Sequence, residues 1–267
     1  MNKIKNFFSI FVISTYAIFL LNHVTYSQNS LQDKEFALLT NLSPKTSQNA
    51  TRVGLQNQNQ NQKIRIGAEA GYAYRIASLP DGIDPVVEDY FKDLKSGFHW
   101  GLNAHYFTSE FLGFGVNYTS FYSSNASNEI ATTFEDGTVE VGIKDEISIH
   151  LIAPSVVSRL RSQDGKHSLI SRLSVGYMRY INEEQLGQRS FKTTGGTLGL
   201  EAKADYDFGL SEWFFIGVGI SFSAGSISEV EVSENGGPMR TVNLEDESGE
   251  RESLSRINIT GGLRVLL

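Results

Sequence analysis

The chain has 267 residues, no cysteine and a formal net charge of −7, with hydrophobic residues making up 40% of it. The missing cysteines exclude disulfides, thiolate nucleophiles and Cys-ligated metals together. The acidic balance argues against nucleic acid as a partner of the bulk surface and suits divalent cations better.

Residues 1–27 have the order of a secretory signal peptide. Asn2-Lys3-Ile4-Lys5 is positive, Phe7 to Leu21 is apolar, and Thr25-Tyr26-Ser27 ends on a small residue. An apolar-biased run of about 15 residues is short for a spanning helix, which needs roughly 20, so cleavage after Ser27 is expected. Residues 28–62 hold no sustained periodicity and end in the polar tract Gln56-Asn57-Gln58-Asn59-Gln60-Asn61-Gln62. Such a composition cannot bury a core, and a disordered Asn/Gln-rich periplasmic tail is expected.

From Lys63 onward the pattern becomes apolar–polar alternation with period two, the mark of a strand with one apolar and one polar face. It recurs eight times. In the first strand Ile64, Ile66, Tyr72 and Tyr74 oppose Arg65, Glu69 and Arg75; in the second Phe98, Trp100, Leu102 and Tyr106 oppose His99, Asn103 and His105. The third sets Leu112, Phe114, Val116, Tyr118 and Tyr122 against Gly113, Asn117 and Thr119. In the fourth, about residues 143–159, Ile147, Ile149, Leu151, Ala153 and Val157 read as the outward apolar face, which turns Glu146 and His150 inward. Pro154 removes a ladder donor there and predicts a bulge.

The fifth strand places Leu169, Leu173, Val175 and Tyr177 opposite Arg172 and Ser174. The sixth places Leu198, Leu200, Tyr206 and Phe208 opposite Glu201, Lys203, Asp205 and Asp207. Phe214, Ile216, Val218, Ile220 and Phe222 mark the seventh; Ile257, Ile259, Leu263 and Val265, against Arg256, Asn258 and Arg264, mark the eighth. Links after strands two, four and six are tight and the others are long. Strict alternation with an even strand count puts all short turns at one end of a closed sheet.

A soluble lipocalin-like barrel would show the same period with its apolar face inward. Three features point to a membrane instead: strands of about 9–11 residues suit a tilted crossing, aromatics gather toward the ends of the apolar faces, and glycine crowds the polar ones. The predicted fold is therefore all-β, an eight-stranded antiparallel up-and-down transmembrane β-barrel over residues 63–267, preceded by the signal peptide and the tail.

A barrel of eight strands is just wide enough for its own side chains. Arg65, Glu69, Arg75, Glu146, Arg172, Glu201, Lys203, Asp205, Arg256 and Arg264 should meet inside it. Buried charges persist only when paired and hydrogen-bonded, so a salt-bridged plug is expected ahead of a gated ion path. No nucleotide loop, zincin helix or nucleophile elbow is present, and no cofactor or metal site is predicted. A lipid-modifying barrel enzyme would need His, Ser and a carboxylate together on the outer face; His99, His105 and His150 all read as inward, and His167 sits at a turn.

The long loops are strongly acidic. In the loop from Ser226 to Leu254, Glu229, Glu231, Glu234, Glu245, Asp246, Glu247, Glu250 and Glu252 form an acidic set broken by Gly236-Gly237-Pro238. Such a surface would bridge through divalent cations to phosphorylated lipopolysaccharide or meet a surface protein partner. The loop is expected to be mobile at its centre and dispensable for folding, with arms that extend strands seven and eight.

The pattern from Lys63 to Leu267 resembles the small outer-membrane barrels of the OmpA/OmpX type, a porin-like outer-membrane β-barrel domain; Leu267 stands where that class commonly ends in an aromatic. The resemblance implies a bacterial outer-membrane location, both barrel ends periplasmic and long loops extracellular. It implies a structural or surface-interaction role through those loops, with a narrow gated pore as the alternative and a lipid-modifying enzyme behind it. Outer-membrane lipid and lipopolysaccharide are the implied partners.

Overall fold

The computed structural model describes residues 62–77, 84–134, 137–248 and 251–267; the signal-peptide and tail readings fall outside it. Twelve strands follow in chain order: β1 (Ile64–Arg75), β2 (Ser96–Phe107), β3 (Leu112–Thr133), β4 (Val139–Arg161), β5 (His167–Leu186), β6 (Arg189–Gly209), β7 (Phe214–Ala224), β8 (Ser226–Ile227), β9 (Glu229–Glu234), β10 (Arg240–Asn243), β11 (Glu252–Ser253) and β12 (Arg256–Leu266). Two helices lie between them, α1 (Pro85–Leu94) and α2 (Leu244–Ser248).

Consecutive strands from β1 to β7 pair antiparallel, β7 pairs β12, and β12 returns to β1, so eight strands close a ring. Closure leaves no sheet edge inside the membrane, which lipid would not tolerate. The faces are inverted relative to a soluble domain. Ile66, Leu102, Val116, Leu173, Leu200 and Ile259 are exposed on the outer wall, while Arg65, Glu69, Glu201, Asp205 and Arg264 are buried inside. Tyr72, Phe98 and Tyr122 fall on one register line of the outer face, as an interfacial aromatic row does.

Strand β4 departs from its sequence reading. Ile147, Ile149, Leu151, Ala153 and Val157 are fully buried and face inward, opposite Phe121, Thr119 and Asn117 of β3. Ile152 at 60% and Leu160 at 57% exposed face outward, with His150 in register between Ser120 and Arg179. The whole strand is turned over, which carries Glu146 outside. Pro154 makes no bulge: the β4–β5 ladder breaks at Ala153 and Pro154 and resumes in the same register, Ile152 opposite Tyr177 and Ser155 opposite Ser174.

The long links after β3 and β5 are largely strand. β3 and β4 run on to Thr133 and Val139, with a register shift between Ser127 and Ala131, and β5 and β6 meet at a tight turn where Gly187 takes φ +57°. Four neighbouring strands therefore stand taller than the other four. The loop after β7 is also ordered over its described residues: β9 adds to the free edge of β6 above the ring, and β10 pairs with β9. Its arms thus do not extend β7 and β12.

The concave side of the tall wall is filled. Helix α1 starts at Asp84, whose carboxylate accepts from Val86 N at 2.9 Å, and Pro85 suits its first turn. Its buried face, Tyr90, Phe91 and Leu94, packs with Phe121, Ile147, Ile149, Met178, Val230, Val242 and Leu254 in one apolar cluster. This cap closes the ring at the end away from the short turns.

Candidate functional site: a charged lumen beneath an apolar cap

Period-two geometry sends every second side chain of each ring strand to the lumen, and there β1, β5, β6 and β12 contribute charges at successive levels. At the short-turn end Arg65 donates to Asp207 through Nη2 at 2.8 Å and Nε at 3.0 Å, and to Asn103 Oδ1 at 3.0 Å. One level up, Glu69 is the hub. Lys203 Nζ donates to it, Arg264 Nη2 lies 3.2 Å from its second oxygen, and Arg172 Nη2 is 3.9 Å away. Arg264 also reaches Asp205 at 3.3 Å, and Arg172 donates to Glu201 at 2.8 Å. Arg159 lies over the Phe107 ring, 3.9 Å from its centroid, near the mouth.

The structure thus brings together Arg65, Glu69, Arg172, Glu201, Lys203, Asp205 and Arg264, and adds Asp207, which the sequence placed on the same face of its strand but not in the cluster. Arg75 and Arg256 are buried one level higher. Glu146 is not in the lumen: with β4 turned over it pairs with Lys144 at 2.6 Å on the exposed side.

The acidic set of the last loop divides. Glu229, Glu231, Glu234 and Asp246 are exposed, Glu234 lies 3.6 Å from Arg189, and Glu245 pairs with Arg251. Glu250 falls outside the described residues, as does the side chain of Glu247. Glu252 leaves the set altogether, because it is buried and accepts from Arg75, whose Nη2 also donates to Ser253 O at 2.9 Å. The loop is therefore partly a lid: Ile227, Val230, Val242 and Leu254 enter the apolar cap, and Glu252 ties it to the ring.

The cap holds its own acid pair. Asp145 of β4 and Glu184 of β5 are register partners on the inner face. Asp145 accepts from Tyr90 Oη at 2.7 Å and Asn182 Nδ2 at 2.8 Å. Burial raises both carboxyls; Glu184, which also feels the charge of Asp145, reaches about 8. Burial likewise pushes the Glu252 carboxyl up to about 7 in spite of the guanidinium beside it.

His99 and His105 are buried in the lumen, whereas His150 lies on the outer wall with its Nδ1 2.8 Å from Tyr118 Oη. Ser120 is its register partner, but no hydrogen bond joins them among the described residues, and no carboxylate contacts either. No group of three or more His, Asp or Glu side chains with metal-binding geometry occurs among the described residues.

No protein-family model and no curated protein matches the chain. Solved structures do. The likeness to a major outer membrane protein of Thermus thermophilus has a TM-score of 0.51 at 9% identity, covering 76% of this chain and 99% of that one. Neisserial surface protein A aligns at a TM-score of 0.47 and 14% identity over 76% of this chain and 97% of that one. The outer membrane protease OmpT of Escherichia coli aligns at 0.46 and 7% over 78% and 97%. With its closed ring of eight strands, apolar outer wall and salt-bridged interior, the chain has the fold of a small outer-membrane β-barrel of the OmpA/OmpX type.

Proposed function

We propose that this protein is a bacterial outer-membrane barrel with a closed lumen, serving structure or surface interaction through its tall end, which faces outside the cell. The observation that carries the reading is occlusion. The lumen is crossed by ion pairs among Arg65, Glu69, Arg172, Glu201, Lys203, Asp205, Asp207 and Arg264, and above them Leu94, Phe121, Leu151 and Leu254 are fully buried. A plug of that kind holds a barrel in shape and conducts nothing.

The surface left for partners is the rim: the acids Glu229, Glu231, Glu234 and Asp246 exposed above the ring suit divalent cations bridging to phosphorylated lipopolysaccharide, or a basic protein surface. In this reading the short turns are periplasmic, and residues 1–27 are a leader removed on export. The test is planar-bilayer conductance of the refolded chain. Silent bilayers are expected; resolved conductance steps would replace the plug with the narrow gated channel.

The second reading, a lipid-modifying enzyme, draws on His150 and Ser120 lying together on the outer wall. Among the described residues no acid contacts the imidazole to orient it. A His150→Ala variant that leaves the acylation of outer-membrane lipid unchanged in cells retires it.

A further inference from the structure

Apart from Arg159 at the mouth, the buried inward-facing cations are Arg65, Arg75, Arg172, Lys203, Arg256 and Arg264, and the carboxylates among them are Glu69, Glu201, Asp205, Asp207 and Glu252, with Asp145 and Glu184 forming a separate pair in the cap. Of these six cations, all but one touch a carboxylate. The exception is Arg256. It is fully buried, and its Nε, Nη1 and Nη2 have no hydrogen-bond partner among the described residues. It makes only a distant approach to the Phe121 ring, 6.0 Å from the centroid.

His99 is in the same condition, fully buried with neither ring nitrogen hydrogen-bonded among the described residues. The two share one part of the wall. His99 on β2 is opposite Gly71 of β1, Arg256 on β12 is opposite Arg75, and between those levels β1 presents only Gly71 and Ala73 inward. Beside that strip Asn258 of β12, the register partner of Ala73, is fully buried and turns its Nδ2 to Ser221 and Ser223.

An uncompensated guanidinium in such surroundings is strongly destabilising, and donors without acceptors add to that. Both groups offer N–H: the guanidinium carries five, and a neutral imidazole carries one. What they lack in common is an acceptor of negative charge. We propose that Arg256 and His99 together bind a small inorganic anion of halide size in the upper lumen, supplying the negative charge that no carboxylate brings to Arg256. The bore of an eight-stranded barrel is filled by side chains, which selects a monatomic ion over an organic carboxylate. The competing arrangement is a swing of Arg256 toward Glu201, which would share that carboxylate with Arg172.

The experiment uses the refolded full chain in detergent. Its urea unfolding midpoint is measured in sodium chloride, sodium bromide and sodium gluconate at equal ionic strength, for the natural chain and for Arg256→Met. A bound halide raises the midpoint in proportion to the logarithm of its concentration once above its dissociation constant. The chloride and bromide midpoints should exceed the gluconate one, and Arg256→Met should erase the difference while still folding, since it strands no carboxylate. Crystals of the natural chain grown in bromide supply an arm independent of the variant: an anomalous peak touching the Arg256 guanidinium is expected. Equal midpoints in all three salts, a halide effect that survives Arg256→Met, or a bromide map that shows Arg256 bonded to Glu201 with no peak beside it would each overturn the proposal.

Discussion

Glu69 bears on three cations at once, through Lys203, Arg264 and Arg172. Removing one partner of a buried ion pair costs about 3–5 kcal/mol, because the remaining charge stays buried without compensation. Glu69→Ala should therefore reduce stability in lipid vesicles by roughly that amount, and urea titration reads it. Asp207→Asn should cost less, about 1–3 kcal/mol, since Arg65 keeps its bond to Asn103. The cap gives a prediction in pH. The Glu184 carboxyl moves from 4.5 to about 8 on folding, so its contribution to stability is present below about 4.5 and is lost as pH rises through about 8. Amide exchange of helix α1, corrected for its intrinsic pH dependence, should show less protection at pH 8 than at pH 5.5. Glu184→Gln should flatten that difference. Most lumen charges could be read from the alternation; Glu146 could not, because its side depended on the one strand whose parity was ambiguous.

That strand shows where an element resists reading. Seven ring strands oppose an apolar face to a polar one, and their parity is legible residue by residue. In β4 both faces are apolar: Ile147, Ile149 and Leu151 on one, Ile152, Val156 and Leu160 on the other. The inner set is apolar because it meets the cap, a tertiary cause that leaves no local mark. Helix α1, by contrast, carries a local signal in the sequence, Asp84-Pro85 as a start and Val87, Tyr90, Phe91 and Leu94 at helical spacing. The turned-over face can be checked by light. In a chain with Trp100 and Trp213 replaced by phenylalanine, Ile152→Trp should be quenched by brominated acyl chains and Leu151→Trp should not. The reverse pattern would restore the parity read from sequence.

At the scale of the whole molecule, closure makes the fold resistant. Every strand of the ring is paired on both sides, so detergent finds no edge at which to begin. The unheated chain should keep its own gel mobility and shift on boiling; a monodisperse protein purified without detergent would contradict the membrane fold. The barrel was visible in the sequence at this scale, whereas the height of its wall was not, because the segments beyond the alternating runs continue the hairpins and are held there by one another. From Tyr122 to Thr133 strand β3 runs on past the aromatic row. At a rise of about 3.3 Å per residue and a tilt of about 40° its tip stands roughly 28 Å above that row. β1 and β2 have no such extension. A tube open to the bulk looks the same from every azimuth, but a wall raised on one side only is a cowl. It has a front and a back, and rotation about the membrane normal decides which neighbour in the bilayer it shields and which it faces.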